Sequence, residues 1–450
     1  MTANSSPPNY ALLDREDGLA SFRHEFYLQP GVIYLDGNSL GLLSKQAEAA
    51  TLRVLSEWRT LGVGGWLQGH PPWFETAEKL GAGVAALVGA EPASVVVTNS
   101  TTVNLHQLLA TLFRPEFSDA KRIISEGAQA PSERLPPETR PKDRGVILAD
   151  ALNFSSDLFA LQSHLRLRGL DPNTHLKLVP GRTPYLLEES DIVAAMTEEV
   201  QLAMLPSVLY RSGQVLDMEF LTREAHRRGI MIGFDCSHSI GAMPHNFDDI
   251  GVDFAFWCHY KHMNAGPGGA GGLYLNRRHF GAAPGLAGWF SSRKDRQFDL
   301  SFNLTPAEGA GALQIGTPNI LSMAALEGSL EIFARAGIEN VRKKSLALTD
   351  YLIKRIIEEF PESEFEFASP LDPERRGGHI ALRHPEAIRI CKALKELNVI
   401  PDFRPPDLIR VAPSALYASF AECEEFVQRL KQVIDLHLYR NYADGREIVA

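Results

Sequence analysis

Phe254-Ala255-Phe256-Trp257-Cys258-His259-Tyr260-Lys261-His262 runs on through Met263-Asn264-Ala265 into Gly266-Pro267-Gly268-Gly269-Ala270-Gly271-Gly272-Leu273-Tyr274-Leu275. The apolar run ending at Trp257 reads as a buried strand, and Gly272 to Leu275 reads as another. The lysine between them stands where burying a charge is costly, so it needs a chemical reason. Desolvation or a neighbouring cation lowers a lysine pKa enough for Schiff-base chemistry. The glycines leave room for something bulky to approach the backbone. They also match G-x-G-x-x-G, but a strand follows where a dinucleotide site needs a helix and a later acidic residue. That reading is rejected.

On either side, apolar runs alternate with helical patterns. Val32 to Leu35, Val95 to Thr98, Val146 to Leu148, Gln201 to Leu205 and Ile230 to Phe234 read as strands. Helices are expected from Ser44 through Trp58, along Leu105, Leu108, Leu109 and Leu112, and over Leu321 to Arg335. Continuous apolar strands separated by helices imply a parallel sheet covered on both faces, an α/β fold. The last stretch of about 120 residues reads as a second domain. Between Asp119 and Arg144 the pattern lapses around Pro131, Pro136, Pro137 and Pro141, which reads as an exposed loop.

The 450 residues carry a formal net charge of −10, which disfavours a dedicated nucleic-acid or anionic-membrane surface. With 44% apolar and 22% charged residues the composition is globular. No apolar run approaches the ~18 residues of a membrane span, and the polar start Met1 to Asn9 is unlike a secretory signal. A soluble cytosolic protein is expected. Cys236, Cys258, Cys391 and Cys423 show no C-x-x-C pairing and read as reduced, buried thiols. Cys258, His259 and His262 lie close together, but no acidic or fourth ligand accompanies them, so no metal is expected.

Ligands of open α/β sheets gather at the carboxyl ends of strands, and three such ends carry chemistry. Asn99-Ser100-Thr101-Thr102 either cradles an anion at a helix N-terminus or simply caps the helix. Asp235, leaving a buried strand, either pairs with a cationic ring nitrogen or caps the next turn. Lys261 is the third. Phe154 follows another strand where a ring-stacking aromatic is needed, or is an ordinary core residue.

Phosphate cradle, strand-terminal Asp235 and then Lys261, 26 positions on, is an order that resembles fold-type-I pyridoxal 5'-phosphate enzymes. That resemblance implies a mostly parallel seven-stranded sheet in a large domain, residues 61–320. An arm and helix, residues 1–60, would pack on a smaller α+β C-terminal domain, residues 321–450. Longer strings narrow the family. Asp36-Gly37-Asn38-Ser39-Leu40-Gly41, Thr102-Val103-Asn104-Leu105-His106 and Gly251-Val252-Asp253-Phe254-Ala255 resemble the kynureninases of the aminotransferase class V group. So do Trp257, Tyr260-Lys261, Gly288-Trp289-Phe290 and Ile409-Arg410-Val411-Ala412-Pro413, so the resemblance runs over most of the chain.

The resemblance implies hydrolysis of L-kynurenine and 3-hydroxykynurenine to anthranilate or 3-hydroxyanthranilate and L-alanine, in tryptophan catabolism or NAD biosynthesis. Breaking Cβ–Cγ needs an electron sink, which the cofactor supplies, and water added to the γ-carbonyl then expels the aryl acid. Lys261 would hold the cofactor as a Schiff base and shuttle the Cα proton. Asp235 would pair with the ring nitrogen, with Asp157 close by, His238 beside the cofactor and Phe154 stacked on it. Thr101, Thr102, Ser155, Ser156, Ser207 and Tyr260 would surround phosphate and ring, with Tyr260 also the acid/base for cleavage. Trp289 and Thr317 would reach the phosphate from the neighbouring subunit of a homodimer. Arg410 would hold the substrate carboxylate, where a bidentate guanidinium suits the task, and Ser39 would also bind substrate.

Trp66 would wall the aryl ring. Trp66 and Thr317 resemble the bacterial catabolic members, where vertebrate-type enzymes have His and Asn. An indole offers no acceptor for a ring hydroxyl, which implies a preference for kynurenine over its 3-hydroxy form. The proline-rich insertion from Ala128 to Arg144 departs from the family and leaves open a relative acting on a substituted kynurenine. A cysteine desulfurase or selenocysteine lyase shares fold and cofactor but needs a mobile nucleophilic cysteine. A non-catalytic cofactor-binding scaffold would be expected to have lost Lys261, Tyr260, Asp235 and Arg410.

Overall fold

The computed structural model describes residues 10–115 and 144–445. Met1 to Asn9 and the proline-rich stretch, apart from Arg144, lie outside them. The first strand, β1 (Ile33–Tyr34), is short. It is followed by the helix Lys45–Leu61, which Ser44 caps by accepting from the Ala47 N–H. Seven strands then form the central sheet: β2 (Val95–Thr98), β3 (Val146–Asp150), β4 (Leu176–Val179), β5 (Val200–Pro206), β6 (Met231–Asp235), β7 (Phe254–Trp257) and β8 (Gly271–Leu275).

Their order is β2-β8-β7-β6-β5-β3-β4. β8 runs antiparallel to both of its neighbours and the other pairings are parallel. The expected mostly parallel α/β sheet is therefore present. β2, β3, β7 and β8 are buried along their whole length, as their unbroken apolar sequences require. The edge strand β4, Leu-Lys-Leu-Val, is half exposed; it has no apolar run and escaped the sequence reading. Thr98, Asp150, Pro206, Asp235 and Trp257 all finish at one edge of the sheet. Because β8 is reversed, its first residue Gly271 pairs with Thr98 at that same edge.

Beyond the helix Ile320–Ala336 the chain builds a four-stranded antiparallel sheet from β9 (Glu366–Phe367), β10 (Ile380–Arg383), β12 (Asp402–Arg404) and β13 (Leu408–Val411). The short β11 (Val399–Ile400) pairs in parallel with β1. One hydrophobic cluster joins the seven-stranded sheet to its covering helices. A second gathers Ile33 and Leu35 with Leu348, Leu352, Ile380, Ile409 and Phe426. The helix Lys45–Leu61 crosses Ile320–Ala336 so closely that a Cβ at Gly328 would stand 2.2 Å from the Gln46 carbonyl carbon. No helix of the described residues is long and apolar enough to cross a membrane.

Candidate active site

The two helices that begin at the sheet's carboxyl edge are both left without a side-chain cap. Ser100 makes no capping bond to the helix Thr101–Leu112, and Phe154 precedes the helix Ser155–Leu167 in the same state. Simple capping by Ser100 is thereby excluded. The first N–H groups of both helices, those of Thr101, Thr102, Ser155 and Ser156, remain available for an anion. Two hydroxyls join them, with Thr102 Oγ1 and Ser156 Oγ 2.8 Å apart. Gly271 closes the third side. Its N–H donates to the Asn99 carbonyl at 2.9 Å. A Cβ there would lie 3.0 Å from the Thr101 nitrogen, so glycine is what lets β8 approach the cradle.

Asp235 ends β6, and its Oδ1 accepts the Ser237 N–H at 2.9 Å. The turn-capping reading and the functional one are therefore compatible, since one oxygen caps and the other is left. Asp157, 3% exposed, shares a side-chain hydrogen bond with Asp235. Burial, and then the Asp235 charge, push Asp157 well above the usual carboxylate range. Asp157 is therefore held protonated beside Asp235. Asp157 Oδ2 has no partner. Ser207 supports this pair instead of opening onto the cradle, because its hydroxyl donates to the Asp235 carbonyl at 3.1 Å and meets Ser239 Oγ at 2.7 Å.

Lys261 Nζ lies 2.8 Å from His238 Nε2. Burial, and then the Lys261 charge, hold His238 well below the usual imidazole range, so the ring is neutral. His238 Nδ1 is buried without a partner. Burial also pushes the adjacent His262 down to about 3, helped by Lys261 and Arg410. The neighbouring Cys258 sulfur and then burial raise the Tyr260 phenol, which stays protonated. His259 is spent on structure, taking the Trp257 indole N–H at 2.8 Å and meeting the Ala270 carbonyl at 2.7 Å.

Phe154 is 47% exposed, so it is no core phenylalanine. Its ring has the edge of Tyr210 at 5.4 Å, and Tyr210 stands 6.4 Å from His238. Arg410 is buried, at 1% exposure, and is no surface arginine. Its Nε donates to Asp402 Oδ2 at 2.5 Å, and Nη2 donates to Ser39 Oγ at 3.1 Å. Nη1 donates to the Tyr210 carbonyl at 2.5 Å. Arg404 also reaches Ser39 Oγ, at 3.2 Å.

Trp66, Trp289 and Thr317 form a separate group. Trp289 Nε1 donates to Thr317 Oγ1 at 3.2 Å, and the Phe290 ring lies 4.8 Å from Trp289 and 6.4 Å from Trp66. Trp289 is 46% exposed. Their contacts run to one another and to neighbouring aromatic rings.

Sequence reasoning missed Tyr210, His379, Asp402 and Arg404. The Asp402 contact arises only because β12 pairs with β13 in a register that sets it opposite Arg410. His262, beside Lys261, was legible only as a weak metal ligand.

The residues present fit pyridoxal 5'-phosphate. The cradle offers N–H groups and hydroxyls to a phosphate, the Asp235 carboxyl at the end of β6 suits a protonated ring nitrogen, and Asp157 Oδ2 and His238 Nδ1 are buried without partners. Residues 341–430 match the family model described as the kynureninase C-terminal domain. The kynureninase of Geobacillus thermodenitrificans (strain NG80-2) is 54% identical over 438 residues, covering 97% of this chain and 96% of that protein. The chain belongs to the kynureninase family. The kynureninase of Bacillus mycoides (strain KBAB4) is 52% identical over 442 residues, with 98% and 97% covered. Among solved structures, an apo cysteine desulfurase from Thermococcus onnurineus NA1 superposes with a TM-score of 0.73 at 19% identity, covering 92% of this chain and 98% of that one. That likeness shows that the kynureninase-family chain shares its fold with the desulfurase. All four cysteines are nonetheless buried, and burial pushes Cys236 up to about 12.

Proposed function

We propose that this chain, with pyridoxal 5'-phosphate held at Lys261, hydrolyses L-kynurenine, and also 3-hydroxykynurenine, to anthranilate or 3-hydroxyanthranilate and L-alanine. The observation that carries the reading is 54% identity to a kynureninase over 97% of the chain. The juxtaposition of Lys261, His238 and the Asp157–Asp235 pair at one sheet edge supports it. When bound, the cofactor supplies the electron sink that lets Cβ–Cγ break. Thr101, Thr102, Ser155 and Ser156 bind its phosphate, Phe154 covers one ring face, and Asp235 keeps the ring nitrogen protonated, steadied by Asp157 and Ser207. Lys261 Nζ takes and returns the substrate's Cα proton, beside the neutral His238. Tyr260, protonated at neutral pH, donates to the carbonyl oxygen as water adds. Arg410 and Ser39 bind the α-carboxylate.

The aryl ring lies against Trp66, whose indole has no acceptor for a ring hydroxyl, so kynurenine is preferred over its 3-hydroxy form. Trp289 and Thr317 serve the phosphate of a neighbouring subunit in a homodimer; the exposed Phe298, Leu300 and Phe302 beside Trp289 support this. The arm is kept at 1–60, the cofactor domain at 61–320 and the C-terminal domain at 321–450; the second hydrophobic cluster, which joins Ile33 and Leu35 to residues 348–434, supports the last, although Met323 to Val341 pack into the first cluster. It places the protein in the cytoplasm, in keeping with four unpaired thiols. The buried cysteines disfavour desulfurase chemistry, which needs a mobile thiol.

The test is the purified holoenzyme with L-kynurenine, followed by anthranilate fluorescence and alanine release. Lys261→Ala should lose both the cofactor's absorbance band and turnover. A wild-type protein that forms no anthranilate overturns the reading.

A further inference from the structure

The helical turn Gly65–Gln68 carries Trp66, and the chain returns past it through Gly69-His70-Pro71-Pro72 to Trp73. The Trp73 indole is 7% exposed and fills the inside of this loop. A Cβ at Gly65 would run into its six-membered ring, and one at Gly69 would lie 2.9 Å from its Nε1. The place of that indole therefore fixes the backbone at Gly65, next to Trp66, and at Gly69. The Trp66 ring itself meets Trp73 edge-on, 5.9 Å away at an interplanar angle of 82°.

What holds Trp73 is one carboxylate. Glu57, on the helix Lys45–Leu61, has a side chain only 13% exposed. Its Oε2 accepts the Trp73 indole N–H at 2.9 Å, and its Oε1 accepts the His70 N–H at 3.0 Å. Arg53 Nη1 donates to the same Oε1 at 2.8 Å and also reaches the His70 carbonyl. Arg53 Nη2 joins Glu327, on the helix Ile320–Ala336, at 2.6 Å. These donors hold the Glu57 carboxyl below the usual range against burial. An apolar residue at 73 would close the loop equally well. The N–H aimed at a charged acceptor fixes the ring's orientation too, which edge-to-face packing with Trp66 needs.

We propose that Glu57 and Trp73 are positioning residues for the substrate's aryl ring: the Glu57 carboxylate orients the Trp73 indole, and that indole sets where Trp66 stands. This rests on the proposed function above, in which Trp66 walls the aryl group. Neither residue touches the substrate, and both act through Trp66.

Kynurenine kinetics, holoenzyme titration with L-alanine, which has no aryl ring, and circular dichroism test it. Glu57→Gln keeps one acceptor oxygen but turns an NH2 group towards the remaining N–H donors. It should raise KM for kynurenine about fivefold, the worth of one aromatic contact, with kcat within about threefold and L-alanine affinity unchanged. In a Trp66→Ala background the same substitution should change KM no further, because the effect travels through Trp66. The exciton signal of the Trp66–Trp73 pair, identified by its loss in Trp66→Phe, should weaken in Glu57→Gln. If Glu57→Gln does not fold, Trp73→Phe, which keeps a ring and removes the N–H, should show the same effects. An L-alanine loss as large as the kynurenine loss, or an equal KM shift with and without Trp66, overturns the proposal. A raised KM in Trp66→Ala beside an unchanged one in Glu57→Gln overturns the proposal alone. An unchanged KM in Trp66→Ala removes the aryl wall and the proposal with it. Should the wild type leave kynurenine intact, the functional reading falls, and an exciton signal unchanged in Glu57→Gln then overturns the positioning as well.

Discussion

Asp157→Asn separates the two carboxyls at the ring-nitrogen position. In the folded protein Asp157 is held protonated by burial and by the Asp235 charge, whereas an unfolded aspartate ionises near pH ~3.9. A folded pKa raised above the unfolded value means that stability is greatest below pH ~4 and falls as pH rises towards the folded value. In this window the loss is about 1.4 kcal/mol per pH unit, because folding must take up a proton. Asparagine has the same shape, carries no charge and still donates to Asp235, so it escapes the loss. The apo form of Asp157→Asn should therefore be more stable than wild type at neutral pH, and the gain should grow as the pH rises above ~4. Urea unfolding of both apo proteins at pH 5, 6 and 7 measures it. Turnover of the holo variant should stay within about tenfold of wild type, a loss worth about 1.4 kcal/mol, whereas Asp235→Asn should lose far more. Equal losses from the two substitutions, or a stability difference that ignores pH, would refute the shared-proton reasoning.

Asp253 accepts from Ile232 N–H at 2.9 Å and contacts His226 Nε2 at 2.8 Å and His279 Nε2 at 2.7 Å, and these histidine contacts help hold its carboxyl below the usual range against burial. Asp253→Asn should cost about 2–4 kcal/mol at pH 7, as breaking a buried charge network does. The difference should shrink as the pH falls below the unfolded value of ~3.9, which unfolding monitored by circular dichroism at several pH values checks. Gly271→Ala would set a Cβ 3.0 Å from the Thr101 nitrogen, and should weaken pyridoxal phosphate retention in dialysis while leaving kcat near wild type at saturating cofactor. Trp66→His supplies an acceptor, so the kcat/KM ratio of kynurenine to 3-hydroxykynurenine should fall; an unchanged ratio removes Trp66 from specificity.

Most of the sheet was legible because its strands are buried on both faces and spell continuous apolar runs, as Val95–Thr98 and Phe254–Trp257 do. β4 was not, since an edge strand interrupted by Lys177, with Leu178 exposed, carries no such run. In the site, Lys261, Asp235 and Thr102 were visible because each lies at or shortly after a strand end. Asp402, Tyr210 and His379 were not. Asp402 owes its place to the pairing of β12 with β13, and His379 lies on a loop cleared by Gly378, and single-chain spacing encodes neither. Arg410 showed itself only through its apolar string and the family resemblance, while its burial and its near-complete set of partners needed coordinates. The grouping of Trp66 with Trp289 likewise runs through Phe290, a residue with nothing local to mark it.

The turn Asp36–Gly41 belongs to the beginning of the chain, yet Ser39 bonds Arg410 across 371 positions and the Gly41 N–H meets the Tyr260 carbonyl. During synthesis the Ser39–Arg410 contact therefore cannot form until almost the entire polypeptide has left the ribosome. Closing so long a loop is slow. A nascent chain released early would keep the seven-stranded sheet's sequence yet leave the Asp36–Gly41 turn without its late partner.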